Sequence, residues 1–347
     1  MPHIRLVSVL AVLDKLGYIP LPSKAERIFS ESIKKCFERL FGQAATTIIL
    51  NNLSSLYGLS EKELTTNYDI FAKSLYTLSG YGAKIILAYI KEEMLVKAVA
   101  LSLVSEITEQ DIVNPDIEVG HILKKIGYSE VLEFVRRTQA GMHTVFVYEN
   151  ENTKHKILDA FLGESYRMSN HSNTATLRNS NGNVTSMIRA LISNKQTKFS
   201  HINNILYYED LIYFEKSELL SKISDWINSF KDENNREVLK KFNNEEEIIT
   251  DDSIISSSPS SPQIRMAIED LSWFLTNRFR LEFVMVEEML KKYIRNSKPT
   301  SILCVYKTSK IFGSEDDINE EMIMRMVKSH SCLILEDPPI IYAATKL

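Results

Sequence analysis

Cysteine is scarce in this chain of 347 residues, and the three that occur, Cys36, Cys304 and Cys332, lie far apart. No two of them have the CxxC spacing that is typical of cysteine zinc sites and redox motifs. The sequence therefore predicts neither a disulfide framework nor a cysteine zinc site, and it fits a reducing cytoplasm. We predict a cytoplasmic protein with no metal and no other cofactor.

An excess of basic residues and long apolar runs are also lacking. The chain has 41 Lys and Arg against 45 Asp and Glu, a formal net charge of -4, so nucleic acid is not expected as a partner. No stretch is long and apolar enough to span a bilayer. Asp14 and Lys15 interrupt the apolar N-terminus, which favours a buried first helix over a signal peptide, so no membrane partner is expected.

The common catalytic signatures are missing as well. The chain contains no HExxH helix, no EF-hand loop, no Ser-His-Asp order and no paired-carboxylate spacing. We therefore predict that the protein is not an enzyme.

The composition that remains, 44% hydrophobic and 25% charged over 347 residues, is typical of a globular chain with two domains. Residues 1–138 show repeated helical periodicity between cap residues. Ser23 and Glu26, like Ser60 and Glu63, have the spacing of a capping box, in which each member satisfies a free N–H group of the first turn. This pattern predicts an N-terminal all-α bundle.

From Gly141 onward the pattern changes to apolar strands that alternate with amphipathic helices. His143 to Tyr148 is an apolar run typical of a buried strand, and a helix with Ile157 and Leu158 on one face follows it. The loop between them has no glycine and no Lys-Ser or Lys-Thr pair, which a phosphate-binding loop requires. We predict a C-terminal α/β domain over residues 139–347, with a mainly parallel sheet and no P-loop.

Further elements of this domain are expected in five places. We predict a helix over Val184–Ile192, helix around Arg265, a buried strand over Ser301–Tyr306, another over Cys332–Glu336, and an edge strand in Ile340–Ala344.

Residues 231–262 have a different composition. They are polar and end in a Ser/Pro-rich run, which is typical of an exposed, disordered insertion. Four basic and eight acidic residues give this segment a net charge of -4, equal to that of the whole chain. The rest of the chain is therefore close to neutral.

Five segments of the helical part, LGYIPLPS, CFERLFG, LYGLSEKEL, NYDIF and SGYGAKIIL, carry a resemblance. With them, residues 4–95 resemble the Nitrososphaera output-domain group of archaeal signalling proteins. The resemblance implies an output or adaptor module.

A second resemblance rests on five segments in order: HTVFVYENENTKHKILDAFL, IRMAIEDLSW, VEEMLKKYI, SILCVYKTSKIF and MIMRMVKSHSCLILEDPPIIY. Over residues 141–343 the chain resembles the methanogen/methylotroph DcmR sensory (MEDS) family. That resemblance implies a degenerate, non-catalytic KaiC/RecA-like fold that senses small hydrocarbon derivatives. The chain departs from the family between Gly163 and Asn183, where the expected glycine-rich segment is not clear, and in the 231–262 insertion.

The candidate ligand-binding residues each have a structural alternative. His143 and Tyr148 match the family's opening strand, and His143 could contact a ligand, switch with pH, or pack at a strand end. Arg265 could hold an anion or pair with Glu269. Trp273 could stack on a ligand or fill the core.

Three further candidates follow in the last third of the chain. Glu287, with its neighbour Glu288, precedes Lys291 and Lys292 by four residues, so a solvated ion-pair face is the alternative. Tyr306 ends a central strand, where α/β sheets bind ligands. His330 precedes the last core strand and fits a surface position equally well. Cys304, in the same strand as Tyr306, is expected to be buried and inert.

Together these observations predict a non-catalytic signalling protein. The α/β domain would sense a small molecule, such as a C1 or hydrocarbon derivative. The helical domain would relay its state by forming a homodimer or by docking a signalling protein such as a kinase or regulator. Two alternatives stay open, namely a ligand-free interaction scaffold and a DNA-binding transcriptional regulator.

Overall fold

The structure is a computed structural model, and it describes residues 13–114, 118–139, 141–162, 187–194, 197–201, 206–207, 221, 263–269, 280–296, 300–309 and 320–344. The chain divides into two compact units. One comprises residues 20–134 and 337–340 and is helical; the other comprises residues 1–19, 135–336 and 341–347 and contains the sheet. The predicted division at residues 138 and 139 stays a prediction.

The first seven described helices run from Lys24 to Arg136. They are α1 (Lys24–Phe41), α2 (Gln43–Ser55), α3 (Glu61–Thr66), α4 (Tyr68–Ser79), α5 (Gly82–Ala100), α6 (Glu109–Val113) and α7 (Val119–Arg136). Helix α7 is one continuous element of 18 residues.

Side-chain caps explain where several of these helices begin. Ser23 caps α1 by accepting from the Glu26 N–H. Ser60 and Glu63 form the predicted capping box of α3. The side chains that the helices bury between them form one apolar core, in which the rings of Phe29 and Phe71 pack edge to face at 5.6 Å. This confirms the predicted helical part of the fold class.

The α/β unit contains three further described helices and the sheet. The helices are α8 (Glu151–Leu162), α9 (Arg280–Asn296) and α10 (Glu320–Ser329). The strands are β1 (Tyr18–Pro20), β2 (His143–Tyr148), β3 (Met187–Asn194), β4 (Thr197–His201), β5 (Leu206–Tyr207), β6 (Gln263–Glu269), β7 (Thr300–Lys307), β8 (Cys332–Leu335) and β9 (Ile340–Ala344). Their order in the sheet is β1-β9-β8-β2-β7-β6-β3-β4, and β5 pairs with β3.

The sheet is mixed, so the prediction of a mainly parallel sheet is only partly right. The four central strands β8, β2, β7 and β6 are parallel. Strand β3 runs antiparallel to β6, β4 and β5. Strands β2, β7 and β8 are continuously apolar because they are buried, since a central parallel strand is covered on both faces.

Three local predictions were wrong. Met187 to Asn194 is a strand, not a helix, and Arg265 lies on strand β6, not on a helix. Strand β9 is not at the edge, because β1 lies beyond it. Trp273 and the 231–262 insertion lie outside the described residues. Within the described ranges, none of the helices combines the length and apolar character needed to cross a membrane.

The buried carboxyl group of Asp111 links α6 to α7 in the helical unit. Its side chain is 2% exposed and accepts from the N–H and hydroxyl of Thr108, each at 2.6 Å, and from Lys125 Nζ at 2.5 Å. Burial alone would raise the pKa of Asp111, but the bonds from Lys125 and Thr108 outweigh it and hold that pKa well below its usual range.

We expect Asp111→Asn to lower the free energy of unfolding at pH 7 by about 2 kcal/mol, because a buried charge-assisted network loses its acceptor. The folded pKa lies below the unfolded value, so this stabilisation is full above about pH 5 and is lost as the pH falls through the folded pKa. Urea unfolding of the wild type and of Asp111→Asn can be followed by circular dichroism from pH 7 to pH 3. The difference between their free energies of unfolding should become smaller as the pH falls.

The matched control is Asp69→Asn, because Asp69 is exposed in the first turn of α4. Its effect should stay below about 0.5 kcal/mol. A loss of equal size in both variants, or a difference that does not change with pH, would contradict the assignment.

Candidate functional site

Four of the predicted ligand-binding residues come together on one face of the sheet. His143, Glu287, Tyr306 and His330 meet there, and Cys304 joins them, so that all five side chains are buried. We call His143, Glu287, Cys304 and His330 the buried cluster. The potential ligand atoms of its four members all lie within 4.8 Å of one another.

Strand register and two helices bring the members of the buried cluster together. His143 opens β2 opposite Ile302 of β7, and Val145 lies opposite Cys304, so His143, Val145 and Cys304 point to the same face. Helix α9 contributes Glu287 from above this face. Helix α10 ends at Ser329, and His330 comes next in the chain. Ser331 separates His330 from β8, which begins at Cys332.

The carboxyl group of Glu287 is the hub of the contacts. Its Oε1 accepts from the Tyr306 hydroxyl, and its Oε2 accepts from Ser329 Oγ at 2.9 Å. The same Oε2 lies 3.5 Å from His330 Nε2 and 4.0 Å from His143 Nε2. His143 Nε2 is 3.3 Å from Cys304 Sγ.

Burial disfavours the charged form of each member of the buried cluster. Desolvation lowers the pKa of His143 to about 3, with a further contribution from His330, and desolvation also lowers the pKa of His330 to about 3. Desolvation raises the pKa of Glu287 and raises that of Cys304 well above its usual value. His143 therefore does not titrate near neutral pH in this state, unlike the switch that the sequence allowed.

Two surface interpretations from the sequence were wrong. Glu287 is 3% exposed and points into the protein, so the solvated ion-pair face does not include it, although Glu288 beside it is exposed. His330 is buried as well, with its ring 3.7 Å from that of His143, centroid to centroid.

Tyr148 lies elsewhere, at the carboxyl ends of the parallel strands. Its hydroxyl donates to Glu151 Oε1 at 3.3 Å, and Glu151 also accepts from Lys307 Nζ at 3.0 Å and Lys154 Nζ at 2.6 Å. Partial burial favours the neutral form of Glu151, but the bonds from Lys154 and Lys307 lower its pKa to about 2. This edge is therefore occupied by ion pairs of the chain itself.

The loop that follows β2 is occupied in the same way. The Glu336 carboxylate accepts from the backbone N–H of Glu149 and, at 2.9 Å, from that of Asn150. These amides open α8, at the position where a nucleotide-binding α/β domain presents backbone N–H groups to phosphate. In this structure they bind an internal carboxylate.

Arg265 has a structural role in these contacts. Its guanidinium donates to the carbonyls of Phe161 and Arg136, each at 2.8 Å, and lies over the Phe161 ring. Those carbonyls belong to the last turns of α8 and α7, where backbone acceptors have no partner within their own helix. The sequence alternative, a pair with Glu269 across one helical turn, was wrong because both residues lie on a strand.

A cleft of about 260 Å³ between α9 and α10 reaches the buried cluster from outside. Val284 and Met326 supply apolar wall, Glu287 and Ser329 lie at its inner end, and Lys291 lines it as well. The lining also includes the charged side chains of Glu288, Arg325 and Lys328, and the volume lies just below the usual range of small-molecule sites.

No protein-family model, curated protein or solved structure matches this chain. The resemblances to the MEDS family and to the archaeal output-domain group therefore stay predictions.

Sequence reasoning missed three contributors to these sites. Cys304 was regarded as inert, and Ser329 and Glu336 were not considered. The one available signal was the position of Cys304, two residues before Tyr306, because residues at that spacing point to the same face of a strand.

We expect Arg265→Met to lower the free energy of unfolding by about 1–3 kcal/mol, because two helix-end carbonyls, one of them partly buried, lose a charged donor. Thermal and urea unfolding of the full chain would measure it. Arg295→Met is the control, since Arg295 is exposed in the last turn of α9. Equal stability of wild type and Arg265→Met would instead favour the predicted role in ligand binding.

Proposed function

We propose that the protein is a non-catalytic signalling or regulatory protein whose α/β unit senses a small molecule in the cleft between α9 and α10. The observation that carries this proposal is how polar groups are paired at the carboxyl ends of the parallel strands. The carboxylates of Glu336 and Glu151 take up the backbone amides and the lysines that a nucleoside triphosphate would need there. A phosphate group would have to displace two carboxylates of the chain itself. We therefore favour a function in which the protein binds a ligand without transferring a phosphoryl group.

The cleft supports the sensing part of the proposal. Its volume of about 260 Å³ suits a molecule of a few heavy atoms, and Val284 and Met326 offer apolar contact. Glu287 and Ser329 provide polar groups at the inner end. Because both walls are helices that pack on the sheet, a bound molecule can favour one arrangement of α9 and α10 over another, which is what a sensor requires.

The helical unit is the candidate for relaying the state. The chain passes between the two units four times, after residues 19, 134, 336 and 340. Residues 336–341, which contain two of these passages, directly follow β8. Strand β8 pairs with β2, which carries His143. A homodimer or a bound kinase or regulator would be the next component of the pathway, as the resemblance to output domains implies.

We expect one of the C1 probes methanol, methylamine and formate to raise the melting temperature of the full chain, because a ligand that binds only the folded state stabilises it. Val284→Trp should abolish that rise by filling the cleft. Met285→Trp is the control, since Met285 neighbours Val284 on α9 but is 39% exposed.

Magnesium ATP is the second arm of the same thermal-shift measurement. It should leave the melting temperature unchanged, and the chain should not hydrolyse it above background. A response to ATP, or a C1 response that survives in Val284→Trp, would overturn the proposal. Silence with every compound would favour an interaction scaffold.

A further inference from the structure

The buried cluster brings four potential metal-ligand atoms of three chemical kinds close together. They are His143 Nε2, His330 Nε2, Cys304 Sγ and a carboxylate oxygen of Glu287, with every pair within 4.8 Å. Bonds of about 2.0–2.3 Å at tetrahedral angles place the ligands of a Zn²⁺ ion about 3.3–3.7 Å apart. Three of the six separations in the buried cluster are 3.3 Å, 3.5 Å and 4.0 Å, and the other three are at most 4.8 Å, so the ligand atoms would have to draw closer together around an ion.

The protonation of the two histidines follows from their outer contacts. His143 Nδ1 lies 3.0 Å from the carbonyl of Ser329, and His330 Nδ1 lies 2.6 Å from the carbonyl of Met326. His330 Nδ1 also lies 2.8 Å from Ser329 Oγ, but a carbonyl only accepts, so the shorter contact to Met326 places the proton on Nδ1 and leaves a lone pair on Nε2, as in His143. Metal-binding histidines are commonly held in this way, with Nδ1–H on a backbone carbonyl and Nε2 on the ion.

The inward-facing Nε2 of His330 lacks a hydrogen-bond donor, whereas that of His143 lies 3.3 Å from the Cys304 thiol. His330 Nε2 is fully buried and makes no hydrogen bond with any residue that the structure describes. Its polar neighbour, Glu287 Oε2, is 3.5 Å away, beyond the usual length of an O–H···N hydrogen bond, and already accepts from Ser329. A buried acceptor that faces another acceptor is costly unless a cation lies between them.

The groups around the cluster would orient its ligands. Tyr306 and Ser329 each donate to one oxygen of Glu287, and the two carbonyls hold the histidine rings. Such outer partners fix ligand direction in known metal sites. The cleft between α9 and α10 reaches Glu287 and Ser329, so an ion has a path from solvent.

We infer that the α/β unit binds one divalent transition ion of the Zn²⁺ class through His143, Glu287, Cys304 and His330. Two imidazoles and a thiolate select Zn²⁺, Co²⁺ or Fe²⁺ over Mg²⁺ and Ca²⁺, which prefer oxygen ligands. Four protein ligands leave no open position, so the ion is structural or regulatory, not catalytic.

Charge neutrality makes the ion compatible with its surroundings. One thiolate and one carboxylate balance the two positive charges, and both imidazoles are neutral. Binding displaces the proton of the Cys304 thiol and any proton on Glu287, and these pass to solvent. The inference does not rest on the proposed function, because it concerns an ion in the buried cluster and not a molecule in the cleft.

The test uses the full wild-type chain, stripped with a chelator and titrated with Co²⁺ and then with Zn²⁺. We expect about one ion per chain by elemental analysis. The Co²⁺ form should show a thiolate-to-cobalt charge-transfer band in the near ultraviolet and the intense visible bands of a tetrahedral site. Zn²⁺ should displace Co²⁺, remove these bands and raise the melting temperature.

Variants locate the ion. Cys304→Ser should lose the charge-transfer band, and His330→Gln should lose stoichiometric binding. Tyr306→Phe should keep the band but weaken binding about 10- to 100-fold, because it removes the hydroxyl that donates to Glu287 and keeps all four ligands. The controls are Cys332→Ser, another buried thiol, and His155→Gln, an exposed histidine, and both should bind as the wild type does.

A charge-transfer band that persists in Cys304→Ser, or that disappears in Cys332→Ser, would overturn the assignment. So would a stripped wild-type chain that takes up no stoichiometric Co²⁺ and no Zn²⁺. Because this last outcome needs no variant, the inference stays testable even if a cluster variant fails to fold.

Discussion

A carboxyl group buried between α9, α10 and the sheet is the constraint that the α/β unit has to satisfy. Glu287 is almost inaccessible to water, so its oxygens must find donors inside the protein. Tyr306 supplies one donor from the central strand β7, and Ser329 supplies another from the end of α10. These two bonds tie α9 and α10 to the sheet at one point, where His143, Cys304 and His330 also meet.

The two candidate regions of the α/β unit differ in how their polar groups are paired. At the carboxyl ends of the parallel strands, where sheets of this kind commonly bind ligands, Glu336 accepts from two backbone amides and Glu151 pairs with two lysines. Beneath α9 and α10, by contrast, Nε2 of His330 has no hydrogen-bond partner among the residues that the structure describes. The polar atom that lacks a partner thus lies on the face of the sheet and not at the carboxyl ends of its strands.

Local patterns predicted well the elements whose formation depends on residues that are close together in the sequence. Ser60 and Glu63 form their box because both partners lie within one turn. Strand β3 was predicted as a helix because Met187, Ile188 and Leu191 fit either period over so short a run, and pairing with β6 decides between them.

The sequence by itself determined the capped helices, the apolar central strands and the lack of a phosphate-binding loop, because each depends on neighbouring residues. Only the tertiary structure decided the buried cluster. Its donors come from β2, α9, β7 and the segment before β8, across nearly 190 positions from His143 to His330. Strand register and helix packing set which way each side chain points, and no spacing along the chain encodes that convergence.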